Sequence, residues 1–204
     1  KVNTISLNSR KVGLLGTSAL VCLALAAPVM ATDFVITSSD NSTNGVGTKN
    51  GVGPAALAAN VINTKDTVSL GIALTTTGNT KVGIATSGGT NTVTVSGTGS
   101  ITTDGDDSSG IHNDGDSNET IVSGSITTGP GTRSGGIWNE GDSNKTTMSG
   151  SITTTGTSGV GIFNEGDSNT TTMSGSITTT GSSAHGILNE GATNTVTISG
   201  TVSA

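Results

Sequence analysis

Tyrosine is missing from these 204 residues, tryptophan occurs once, phenylalanine twice and cysteine once. So few aromatics exclude a base-stacking platform for nucleic acid and the aromatic girdles of a membrane barrel. A lone Cys22 excludes any disulfide within the chain, the usual support of a small exported fold. Leucine is scarce beyond residue 31, at Leu57, Leu70, Leu74 and Leu188, which removes the leucine-rich repeat. Basic residues are short as well. Beyond residue 31 only Lys49, Lys65, Lys81, Arg133 and Lys145 face the fourteen acids, a net charge of −9. Such a surface repels nucleic acid and anionic membranes, so no nucleic-acid partner is expected.

What is present begins with a leader. Lys1, Arg10 and Lys11 precede an apolar stretch from Val12 to Val29, and Val29-Met30-Ala31 supplies the residues of a cleavage site. Residues 1–31 read as a cleaved secretory signal peptide, because Gly13, Gly16, Thr17, Ser18 and Pro28 interrupt the stretch and no basic stop-transfer cluster follows. Cys22 leaves with it. The exported chain then has no thiol, which suits a polypeptide that must stay extended while it crosses a second membrane. The sequence opens on Lys1 and stops at Ala204 partway through a repeat, which reads as an N-terminal fragment of a longer product.

From Gly83 the chain repeats. Gly110-Ile111-His112-Asn113-Asp114-Gly115 returns as Gly136-Ile137-Trp138-Asn139-Glu140-Gly141, Gly161-Ile162-Phe163-Asn164-Glu165-Gly166 and Gly186-Ile187-Leu188-Asn189-Glu190-Gly191, with a fainter copy at Gly83-Ile84. A period of about 25 residues marks a solenoid, whose units cannot bury a core alone. Thr, Gly and Asn are poor helix formers and no apolar period of 3.6 residues occurs, so helical repeats fail. Each repeat instead holds three short β-branched segments between Gly, Asn, Asp and Ser turns: Gly-Ile-X-Asn, a second starting at Asn91, Asn118, Asn144, Asn169 and Asn194, and a third centred on Ile101, Ile126, Ile152, Ile177 and Val202. The expected fold class is all-β, a right-handed parallel β-helix of about five coils over residues 60–204. Residues 32–59 are expected to form its N-terminal cap, with a strand near Phe34, a polar loop from Asp40 to Gly53 and an apolar patch from Pro54 to Ala59. Alternation points Val93 and Val95 inward, followed in later coils by Thr120 and Val122, Thr146 and Met148, Thr171 and Met173, and Val196 and Ile198.

Several columns follow from the stacking. Asn113, Asn139, Asn164 and Asn189 are expected in one turn column and Asn91, Asn118, Asn144, Asn169 and Asn194 in another, as structural amide ladders. Asp114, Glu140, Glu165 and Glu190 lie next to Asp116, Asp142 and Asp167, and bound calcium would relieve their repulsion. The segment from Asp104 fails the EF-hand pattern, since Ser109 sits where the turn glycine belongs and Gly115 where the bidentate Glu belongs. Solvated carboxylates, with no metal and no cofactor, are the expectation. His112, Trp138, Phe163 and Leu188 each follow the inward Ile by one residue and should face outward as a stripe beginning at Ala85, either as a partner contact or under a covering loop. Outward Thr-X-Thr arrays resemble ice-binding faces, but Glu119, Lys145, Asp104 and Gly129 interrupt them. No catalytic residues are expected, because the acids recur as columns and only Arg133 and Lys145 supply bases from Gly83 onward.

A signal peptide, an acidic cysteine-free chain and degenerate Gly/Asn/Thr repeats with Gly-Ile-X-Asn and Ser-Gly-Ser-Ile-Thr-Thr signatures together resemble the passenger domain of Gram-negative autotransporters, a pertactin-like β-helix. The resemblance covers residues 1–31 and about 60–204. It implies export through a C-terminal outer-membrane β-barrel on the same polypeptide, absent from these residues, and display or release at the cell surface, where host or cell-surface ligands are the candidate partners. No functional residue carries over, because passengers share architecture and differ in activity. The expected role is a structural or adhesin-like stalk. The alternatives are a secreted-enzyme passenger with its active site beyond Ala204, or an ice- or calcium-binding β-helix.

Overall fold

Short runs of Thr, Val and Ile suit a pleated surface, and the Gly and Ser between them break it at fixed intervals. The computed structural model describes residues 33–36, 67–71 and 73–204, and these contain strands and turns without a helix. Strand β1 (Asp33–Ile36) precedes the first coil, made of β2 (Thr67–Leu70), β3 (Ala73–Thr77) and β4 (Ile84–Ser87). The second coil holds β5 (Thr92–Val95), β6 (Ser100–Asp104) and β7 (Ile111–Asp114), and the third β8 (Glu119–Val122), β9 (Ser125–Thr128) and β10 (Gly135–Glu140). Then come β11 (Lys145–Met148), β12 (Ser151–Thr154) and β13 (Val160–Glu165), followed by β14 (Thr170–Met173), β15 (Ser176–Thr179) and β16 (His185–Glu190). A sixth coil opens with β17 (Thr195–Ile198) and β18 (Thr201–Ser203).

Each strand pairs in parallel with its equivalents in the coils before and after. Three sheets result, ordered β1-β2-β5-β8-β11-β14-β17, β3-β6-β9-β12-β15-β18 and β4-β7-β10-β13-β16. The ladders continue around the corners, where Gly115 N donates to Glu140 O at 2.9 Å and Ser117 N to Asp142 O at 2.8 Å. The molecule is therefore a parallel β-solenoid of about five coils. In the expected cap, β1 extends the first sheet by pairing with β2 from Asp33↔Thr67 to Ile36↔Leu70. The rest of the cap and the signal peptide lie outside the described residues.

The core is a set of columns. Ile84, Ile111, Ile137 and Ile162 are fully buried in register and Ile187 completes the row, as the Gly-Ile spacing predicts. Leu74, Ile101, Ile126, Ile152 and Ile177 form the second column, and Leu70, Val95, Val122, Met148 and Met173 the third. At the far end Ile198 and Val202 are 49% and 40% exposed, since no described coil lies over them. The interior also holds Thr76, Thr103, Thr128 and Thr154, whose buried hydroxyls have no hydrogen-bond partner.

Two turn features set how tightly the coils stack. A Cβ on Gly150 would collide with the carbonyl oxygen of Gly124, so the backbones meet there at a distance only glycine permits. At the corner before the first sheet, Ser117, Ser143 and Ser168 adopt φ of 61°, 59° and 60°, with Thr90 and Thr193 at equivalent places. Left-handed backbone at non-glycine residues is uncommon and costs about 1–3 kcal/mol each, so the inter-coil bonds must hold it.

Candidate functional site

The third sheet positions the stripe. Inward Ile137 and Asn139 leave Trp138 and Glu140 pointing outward, and the register Ala85↔His112↔Trp138↔Phe163↔Leu188 stacks the outward residues in one line. They are half-buried because they cover one another. The His112 and Trp138 rings lie 5.7 Å apart at 45°, and Trp138 and Phe163 lie 5.0 Å apart at 62°. Such aromatic pairs contribute roughly 0.5–1.5 kcal/mol each beyond area burial.

Polar edges of the row reach the acidic column of the following coil. His112 Nε2 sits 3.0 Å from Glu140 Oε2, and Trp138 Nε1 donates to Glu165 Oε2 at 3.3 Å. The exposed acids of the adjoining turn behave differently: Asp116 Oδ1 accepts from Asp142 N at 2.8 Å, and Asp142 Oδ1 from Asp167 N at 2.7 Å. Their repulsion is offset by backbone N–H groups at each step. Among the described residues no three His, Cys, Asp or Glu side chains stand together as a metal site.

The expected Asn113 ladder exists, but its place needs correction: it runs inside the third sheet and not along a turn. Alternation forces this, since Asn113 lies two residues after inward Ile111. Asn113 Nδ2 donates to Asn139 Oδ1, Asn139 Nδ2 to Asn164 Oδ1 and Asn164 Nδ2 to Asn189 Oδ1, each at 2.7 Å. The second proton of each amide goes to Thr120, Thr146 or Thr171 Oγ1, which explains the polar Thr in the first sheet's interior. The Asn91 column does occupy a turn, and it works through the backbone: Asn118 N donates to Asn144 Oδ1 at 2.8 Å while Asn118 Nδ2 donates to Gly115 O at 2.9 Å.

Beside the stripe the surface sinks into a recess of about 190 Å³ walled by Trp138, Val160, Phe163 and Leu188. Its floor is Gly135, which takes the register position held by Val160 and His185 in the next two coils. A missing side chain makes the hollow. Arg133 and Glu190 stand at the rim. The Arg133 guanidinium is engaged by Asp107, with Nε to Oδ1 at 2.7 Å and Nη2 to Oδ2 at 3.0 Å, and that pairing raises its pKa. Neighbouring Asp106 accepts from Thr132 N at 2.7 Å and Thr132 Oγ1 at 3.0 Å, and these bonds lower its pKa.

Sequence reasoning placed His112, Trp138, Phe163 and Leu188 in one line but missed the hollow beside them. The signal was there: the doublet Gly135-Gly136 stands where the next repeats have Val160-Gly161 and His185-Gly186. Comparison with protein-family models, with curated proteins and with solved structures finds no match to this chain.

Proposed function

We propose that this chain is the β-helical passenger of a Gram-negative autotransporter, a surface-displayed, adhesin-like stalk whose contact surface is the stripe of His112, Trp138, Phe163 and Leu188. The observation that carries this reading is coil-on-coil pairing, in which each coil bonds to the coils before and after it. A chain of this kind can cross a pore unfolded and then fold one coil at a time on the far side, each strand edge templating the next. Lack of a thiol beyond residue 31 keeps it threadable. An apolar row on an otherwise polar solenoid supplies the contact.

The complete gene should encode a closing segment of alternating strands about 9–11 residues long with aromatic girdles. Protease added to intact cells should remove the region from Gly110 to Ala204 while periplasmic markers survive. A product that stays protected inside the periplasm, from a frame without such strands, replaces this reading with a periplasmic solenoid.

A further inference from the structure

The recess at Gly135 has a composition that selects among small ligands. Trp138, Val160, Phe163 and Leu188 form most of its surface and Gly135 adds no side chain. Of the polar groups that line it, Ser134 Oγ donates to Gly105 O, the indole N–H of Trp138 is committed to Glu165, and Ser158 stands with Arg133 and Glu190. A sugar or other polyol would leave most of its hydroxyls unpaired against the apolar side, and each unpaired polar group is costly. Volume is a second constraint, because about 190 Å³ lies below the range that suits a drug-sized ligand and fits one compact group.

Charge is the third. Glu165 accepts the Trp138 N–H, and Glu190, at the rim, lies in the same acidic column. Arg133 is the one cation lining the hollow, and Asp107 neutralises it through two hydrogen bonds, with Asp106 close by. The field at the recess is therefore negative. The Trp138 and Phe163 rings meet edge to face at 62°, so one ring covers only part of the other, and both line the recess. Aromatic faces beside carboxylates attract a cation that brings its own apolar coat.

We propose that the Gly135 recess binds a quaternary ammonium group of the choline type, seated against Trp138 and Phe163 and balanced by Glu190. This deepens the contact-surface reading by naming its ligand chemistry, and it is tested on purified full chain, apart from where the protein resides.

Trp138 is the single tryptophan of the chain, so its fluorescence reports the site directly. Titration with tetramethylammonium and with choline should change that fluorescence saturably, with a dissociation constant on the order of millimolar, as suits so small a ligand. The neutral isostere of choline, with carbon in place of nitrogen, should bind at least about tenfold more weakly if the cation–π and carboxylate terms dominate. Gly135→Val should abolish the response, since the added Cβ meets only Ser109 Oγ at 3.4 Å and the Val160 carbonyl at 3.8 Å and the rest of the side chain fills the hollow. Its circular dichroism and melting should stay native-like. Glu190→Gln, an exposed rim change, should weaken choline several-fold and leave the isostere unaffected. Equal affinity for choline and its isostere, or choline binding unchanged in both variants, would overturn the proposal. A phosphocholine titration asks whether the source is a headgroup: tighter binding than choline extends the site to the Arg133 side, while failure of all three quaternary ammonium probes refutes the proposal.

Discussion

Removing one rung of the interior amide ladder should cost far more than its size implies. Asn139 is 1% exposed and makes three bonds: its Nδ2 donates to Asn164 Oδ1 at 2.7 Å and to Thr146 Oγ1 at 3.1 Å, and its Oδ1 accepts from Asn113 Nδ2 at 2.7 Å. Asn139→Ala strands an N–H on buried Asn113 and an acceptor on buried Asn164. Each orphan costs roughly 1–3 kcal/mol, so the variant should lose about 2–6 kcal/mol. Asn189→Ala removes the same amide at the exposed end, where water can replace it, and should cost about 1 kcal/mol or less. Thr153→Ala, on the outer face of the second sheet, should stay within about 0.5 kcal/mol. Asn139→Asp keeps the shape but sets an oxygen against Asn164 Oδ1, so at neutral pH it should be at least as damaging as alanine. Urea unfolding followed by Trp138 fluorescence reads the coil that contains Asn139, and the shift in midpoint times the slope gives the change. Equal midpoints for Asn139→Ala, Asn189→Ala and Thr153→Ala would refute the ladder argument.

Three further outcomes follow from the same geometry. Gly150→Ala should destabilise by at least about 1–3 kcal/mol, since its Cβ meets backbone that cannot move aside, whereas Gly135→Ala should be near neutral in the same thermal melt. Thr154→Val exchanges a buried, unpartnered hydroxyl for a methyl of equal shape and should raise stability by about 1 kcal/mol; a fall in the denaturation midpoint would show that the hydroxyl is bonded in solution. Asp106 has a carboxyl pKa lowered below its usual 3.8, first by the Thr132 backbone N–H and then by the Thr132 hydroxyl. The folded state therefore binds that proton more weakly, so its contribution is present above about pH 4 and is lost as pH falls through the lowered value. Asp106→Asn should be less stable than the parent at neutral pH and converge with it in acid; a difference that widens below pH 4 has the wrong sign.

Much of this molecule was written in one dimension. A 25-residue period and a side-chain period of two together fix which strands pair and which residues point inward, so the Ile111, Ile137, Ile162 and Ile187 column, the strand triplets and the outward line from His112 to Leu188 were all legible before any coordinates. The Asn113 column was misplaced for a physical reason. Asn is a turn former by propensity, and only alternation from Ile111, completed by the Thr120, Thr146 and Thr171 hydroxyls across the interior, keeps it inside the sheet. The partners of Asp116 and Asp142, the indole bond to Glu165 and the positive φ at Ser143 depend on where one coil's backbone meets the next. So does the recess, which exists because one position in a column of larger side chains is Gly135 and its neighbours do not close over it. Repetition determines the stack; contact distances between coils, which no single repeat encodes, decide what the stack's surface can hold.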